Sequence, residues 1–130
     1  AFDTEPFRNL FITDPDDPRY DELMAREGDE AVRDAVGRMH AFYSGADLLI
    51  HDGQFTEAEY RAGRQGWGHS SVEEAVRSAE ASGVRRLTLV HHDPMRTDSE
   101  LDRMAVEYGG VRSGTGLEVS FAREGMTVVF

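Results

Sequence analysis

The chain has 130 residues, 39% hydrophobic and 30% charged, which suits one ordinary globular domain with a real core. Its 25 acidic residues against 14 basic ones give a formal net charge of −11, which works against general binding to nucleic acid or an anionic membrane. With no cysteine it can form no disulfide, thiolate nucleophile or cysteine-ligated metal centre.

Every one of the 14 basic residues is an arginine, and Arg61 to Arg64 form a local cluster that could meet a phosphate. No apolar run approaches the roughly 18 residues of a membrane span. No signal-peptide pattern is visible, so the expected location is cytoplasmic, away from membranes.

Residues Ala1 to Glu5 read as a strand end running into a turn, and Pro and Asp make a loop of 13–19. Ala31, Val32, Ala35, Val36, Met39, Phe42 and Tyr43 have helical spacing over 29–44, with Gly45 as the stop. Asp47 to Ile50 reads as a short buried strand ending at His51-Asp52-Gly53. Thr56 with Glu59 forms a capping box for a helix over 57–62, followed by the glycine-rich stretch 63–69. Ser70 with Glu73 reads as a second capping box for a helix closed at Gly83. Val84 to Val90 is the clearest strand, and it ends at His91-His92-Asp93. Thr97 with Glu100 is a third box, for a helix to about Tyr108. Leu117–Phe121 and Met126–Phe130 read as two strands of a C-terminal β-hairpin.

Alternating helices and strands imply an α/β fold, a sheet with helices packed on it. In such sheets functional groups gather at the carboxyl ends of strands, where His51-Asp52 and His91-His92-Asp93 are both placed. His69 sits in the glycine-rich loop. Imidazole and carboxylate together suit zinc, manganese or iron. Two such ions about 3.5–4 Å apart can clamp the attacking and leaving oxygens of a displacement.

Several phrases resemble a known family. Ala46-Asp47-Leu48-Leu49-Ile50-His51-Asp52 is similar to the LLIHEAT segment of the tRNA 3′-processing endonucleases and related metallo-β-lactamase-fold phosphodiesterases. Gly68-His69-Ser70-Ser71 resembles their GHST segment, and Leu87 to His91 the strand that delivers their last metal-ligand histidine. Phe2-Asp3-Thr4-Glu5-Pro6 resembles the segment whose aspartate bridges two metals. The four fall in the family's order.

The resemblance implies a dinuclear metallo-hydrolase that cleaves phosphodiesters, with two divalent ions, zinc or else manganese or iron. Asp3 would be the bridging ligand and His91 a terminal ligand. Asp52, where the family usually has Glu, would pair with His69, and this pair would be catalytic. His92 and Asp93 are second choices as ligands or supporting groups. The family's H-x-H-x-D-H motif is not in these residues. The chain therefore reads as one partial domain over 1–130, the C-terminal half of a four-layer αββα sandwich with one mixed sheet and helices on one face. It would be incomplete as a metal site and inactive alone. Its partners would be the other half of the fold and a small-molecule or nucleotide phosphodiester. The other sheet face is expected to be apolar and to drive self-association, for example as a homodimer.

Other readings of the same residues stay open. The fold could hydrolyse a thioester, lactone or β-lactam, or serve as a non-catalytic partner. A signalling receiver domain needs a later-strand lysine, and there is none. Trp67 reads as a core anchor rather than a stacking surface, and Arg61 and Arg64 as a solvated helix face. His40 reads as structural, His51 as turned away from Asp52, and His92 as on the opposite strand face from His91. If the carry-over holds, ligand atoms of Asp3 and His91 lie within about 3–5 Å. Asp52 then reaches His69 at about 2.7–3.2 Å.

Overall fold

The computed structural model describes residues 1–129. They form a mixed α/β structure that divides into two compact units, Phe7–Phe42 and the remainder. The elements in chain order are α1 (Glu22–Tyr43), β1 (Leu49–Asp52), α2 (Glu57–Arg61), α3 (Val72–Ala81), β2 (Arg86–Val90), α4 (Asp98–Tyr108), β3 (Gly110–Val111) and β4 (Glu118–Phe121). No helix among the described residues is long and apolar enough to cross a membrane.

In the smaller unit α1 begins seven residues before the apolar periodicity does. Asp21 explains the early start, because its carboxylate accepts from the Met24 backbone N–H at 3.0 Å and so satisfies one of the orphan donors of the first turn. Asn9 folds the preceding segment onto α1, donating to Ala25 O at 2.7 Å and to Asp29 Oδ1 at 2.8 Å.

The larger unit carries the sheet, in the order β1-β2-β4-β3. β1 pairs parallel with β2 and β2 parallel with β4, while β3 runs antiparallel to β4. The register aligns Leu49 with Leu87, His51 with Leu89, Leu87 with Val119 and Leu89 with Phe121. These side chains therefore share one face, and all are buried. Val72, Ala75, Val76 and Ala79 of α3 complete the core; the small alanines let the helix approach β1 and β2 closely.

Two expectations are corrected here. Residues 126–129 are not a strand, and Phe130 lies outside the described residues. β3 occupies the edge of β4 at Glu118 and Val119, so a hairpin partner could pair only with Ser120 and Phe121 there. The returning chain lies against the sheet instead, where Arg86 Nη1 donates to Val129 O at 2.7 Å and residues 126–129 line a cavity with Thr88 and Ser120. The second sheet face is also not apolar. It carries Arg86, Thr88, Glu118 and Ser120, with Thr88 and Ser120 hydroxyls bonded at 3.0 Å and Ile50 as its exposed apolar residue.

The helix caps follow the sequence with one shift. Thr56 with Glu59 and Thr97 with Glu100 form reciprocal capping boxes. The cap of α3 is Ser71, whose hydroxyl accepts from Glu74 N at 3.1 Å. Ser70 is drawn away because its hydroxyl donates to Thr4 O.

Candidate functional site

Two strand ends, the N-terminal segment and one loop meet at the carboxyl edge of the sheet. Asp52 is the last residue of β1, and His91 follows the last residue of β2. Asp3 arrives beside them because the Ala1 backbone pairs with β1: its nitrogen donates to Ile50 O, and Asp52 N donates to Ala1 O at 2.8 Å. Gly53 lets β1 end here against the core. A Cβ at that position would sit 2.7 Å from Leu89 Cδ2, well inside van der Waals contact.

His69 is held from two sides. A bridge between Phe55 and Ser71 closes the neck of the loop, with Val72 N donating to Phe55 O at 2.8 Å. Glu5 fixes the rest: its carboxylate accepts from Tyr60 Oη at 2.8 Å, from Gly66 N, and from Gly68 N at 3.1 Å. Gly66 and Gly68 both have φ of +84°, a left-handed conformation that glycine adopts without a Cβ penalty and that turns their N–H groups onto one carboxylate. Glu5 was not singled out in the sequence. The signal was its place two residues after Asp3, beside a loop with three glycines.

The result is one cluster of Asp3, Asp52, His69 and His91, whose potential ligand atoms all lie within 4.8 Å of one another. His69 Nδ1–H donates to Asp52 Oδ2 at 2.7 Å. His91 Nδ1 lies 3.2 Å from Asp3 Oδ1, and the crossed separations, His69 to Asp3 and His91 to Asp52, are both 3.7 Å. Both separations set out from sequence fall in their ranges, and the shorter aspartate arm still reaches His69. The Asp52 side chain is 0% exposed, against 18% for His69, 40% for His91 and 72% for Asp3. A buried carboxylate needs donors, and Asp52 has His69 on one oxygen and Gln54 N at 3.1 Å on the other.

Among the described residues, Asp3 and His91 are the two non-glycine residues with positive φ, 49° and 60°. Such backbone is uncommon and costs energy outside glycine, less so for Asp and His. Finding it at two members of one four-residue cluster marks the cluster as a place where geometry is specified at the expense of local stability. Two carboxylates and two imidazoles in this space are a donor set that suits a divalent transition metal ion.

The neighbouring polar residues lie outside the cluster. His51 is 1% exposed, meets Tyr43 edge-on at 5.9 Å between ring centroids and donates from Nδ1 to Asp52 O at 2.7 Å. Burial holds its imidazole below the usual pKa. His92 stacks on Phe121 at 5.6 Å and bonds Ala122 O through Nε2 at 3.2 Å. Asp93 caps a turn, accepting from Met95 N at 2.9 Å. Arg61 pairs with Glu57 on the helix surface. Arg64 differs: its guanidinium lies 4.5 Å from the centroid of the Trp67 ring. Trp67 is 59% exposed, which corrects its reading as a core anchor. The glycines on either side lift the residue out of the core.

The model of the β-lactamase superfamily domain matches residues 28–92, a span that includes Asp52, His69 and His91. A ribonuclease Z of Pseudomonas putida is 36% identical over 86 residues, 59% of this chain and 27% of that protein. A ribonuclease Z of Thermoplasma volcanium is 41% identical over 61 residues, 47% of this chain and 20% of that protein. The chain thus spans about a quarter of the length of the curated relatives it matches. Among solved structures, the metallo-beta-lactamase fold protein YhfI from Bacillus subtilis is similar over 68% of this chain and 33% of its own, with 26% identity and a TM-score of 0.48.

Proposed function

The chain belongs to the β-lactamase superfamily, and from that premise we propose that it forms part of a metal-dependent phosphodiesterase. The observation that carries the reading is the convergence of Asp3, Asp52, His69 and His91 within 4.8 Å. In this proposal Asp3 would be a ligand shared by two divalent ions, and His91 would be a ligand of one. Zinc is the first choice for the ions, with manganese or iron as alternatives. Two ions need more donors than these two residues supply, so the remaining ligands would come from the other half of an αββα sandwich. The ions would polarise the phosphoryl oxygens and activate water near neutral pH.

The chain's own residues supply the proton. The 2.7 Å bond from His69 Nδ1 to Asp52 Oδ2 fixes the ring orientation, with Nδ1 committed to the carboxylate. Nε2–H of protonated His69 then donates to the departing alkoxide as the P–O bond breaks. Asp52, wholly buried, keeps this bond free of competing water. His69 remains 18% exposed, enough to regain a proton from solvent. An alkoxide leaving group needs such an acid, which favours a phosphodiester over a reactive carbonyl substrate. Relatives named ribonuclease Z point the same way, toward a nucleotide diester or RNA.

The test compares bis(p-nitrophenyl) phosphate with a thioester, a lactone and a β-lactam, in the full-length protein with zinc or manganese and after chelation. The proposal expects chelator-sensitive cleavage of the diester above all. Preferred turnover of a carbonyl substrate would move the assignment to the second reading. Turnover of none, with either metal, would make the domain a non-catalytic partner.

A further inference from the structure

Beside His69 the loop presents a flat cationic surface. Trp67 is 59% exposed, and the Arg64 guanidinium lies 4.5 Å from its ring centroid and 5.8 Å from that of Phe55. Phe55 joins this surface to the cluster, meeting Trp67 edge-on at 6.4 Å and His69 at 6.2 Å. Phe55 itself is 2% exposed, so it fixes the spacing between His69 and the surface. Among the described residues no carboxylate lies within ion-pair distance of Arg64, although the chain carries 25 acids.

A guanidinium stacked on an indole can extend the stack to a further planar ring. Arg64 and Phe55 also line a cavity of about 190 Å³ with Glu59 and Asp93. Those two acids disfavour an additional phosphate there; Glu59 Oε2 already accepts from Thr56 N and Arg96, and Asp93 Oδ1 from Met95 N, which leaves their second oxygens to accept from the amino and ring N–H groups of a base.

We propose that Arg64 and Trp67 form a nucleotide subsite on the leaving-group side of the centre, holding a base against the indole–guanidinium stack. The proposal rests on the phosphodiesterase reading for the side it assigns, because His69 is the proton donor to that group.

Trp67 is the single tryptophan of these 130 residues, and its fluorescence reports the subsite without turnover. Titrating the full-length protein with AMP should quench saturably the part of the emission that Trp67→Phe removes, and ribose 5-phosphate should bind at least tenfold more weakly. Arg64→Ala should weaken AMP about tenfold with an unchanged melting temperature. In the full-length protein, Trp67→Ala should raise KM about tenfold for a dinucleoside monophosphate. It should leave a diester with an abasic ribose leaving group unaffected. Equal quenching by AMP and ribose 5-phosphate, or no change in emission with either, overturns the subsite even if diesters are cleaved. Base-dependent quenching in a protein that cleaves no diester keeps the subsite and retires the phosphodiesterase reading.

Discussion

Glu5 holds the loop of His69 in place, and removing its carboxylate should loosen that loop measurably. Its carboxylate accepts from Tyr60 Oη, Gly66 N and Gly68 N. Hydrogen bonds to a charged group contribute about 1.5–3 kcal/mol each when well shielded. These are only partly shielded, and water can take over the two backbone donors after truncation. Glu5→Ala should therefore cost about 2–3 kcal/mol in total, below the simple sum. For a chain of this size that corresponds to a fall of about 6–12 °C in melting temperature. Glu5→Gln keeps a carbonyl acceptor but turns an N–H toward the remaining donors, so it should restore less than half the loss. Thermal denaturation followed by circular dichroism measures both. If Glu5→Ala melts within about 1 °C of the parent, the three bonds contribute nothing net and the loop is held by other contacts.

Three further outcomes follow from single residues. Gly53→Ala would drive a Cβ to 2.7 Å from Leu89 Cδ2 in a core where Leu89 is 0% exposed, and should cost about 1–3 kcal/mol in urea unfolding. Leu87→Ala, also 0% exposed at the centre of the sheet, should cost about 2–5 kcal/mol; a loss under about 1 kcal/mol would mean the site collapses around the cavity. Burial lowers the His51 pKa, so below about pH 6.5 the unfolded chain binds the extra proton and the folded chain does not. The stability from a neutral His51 is thus complete above about pH 6.5 and declines as the pH falls toward its folded pKa. His51→Gln should flatten that part of the pH–stability curve, and an unchanged slope between pH 6.5 and 5.5 would show that His51 is not its source.

Asp52 and His91 were legible in the sequence because strand ends are, whereas Asp3 and the pairing of Asp52 with His69 came from the family resemblance. Leu49–Asp52 and Arg86–Val90 carry apolar runs that stop at His-Asp and His-His-Asp, and parallel pairing puts such ends side by side. Thr56 with Glu59 and Thr97 with Glu100 announced their helices through cap chemistry that needs no tertiary context. What escaped depends on partners distant in sequence. Ser70 and Ser71 have equal cap chemistry, and only the contact with Thr4 O decides between them. The fate of 126–129 was decided by β3, a two-residue strand too short to leave a periodic signal, which occupies part of the edge a hairpin would need. Glu5 spans more than 60 positions to reach Gly66 and Gly68, and no local pattern shows that.

The most direct test of the central claim separates ligands from the acid pair. Zinc and manganese binding would be measured by calorimetry in the full-length protein and in Asp3→Asn, His91→Gln and His69→Gln variants. The account predicts at least a tenfold loss of metal affinity for Asp3→Asn and His91→Gln. His69→Gln should retain the metal while losing turnover most severely for diesters with alkoxide leaving groups. If His69→Gln loses as much metal as His91→Gln, His69 is a ligand rather than the proton donor, and the division of labour proposed for the cluster is wrong.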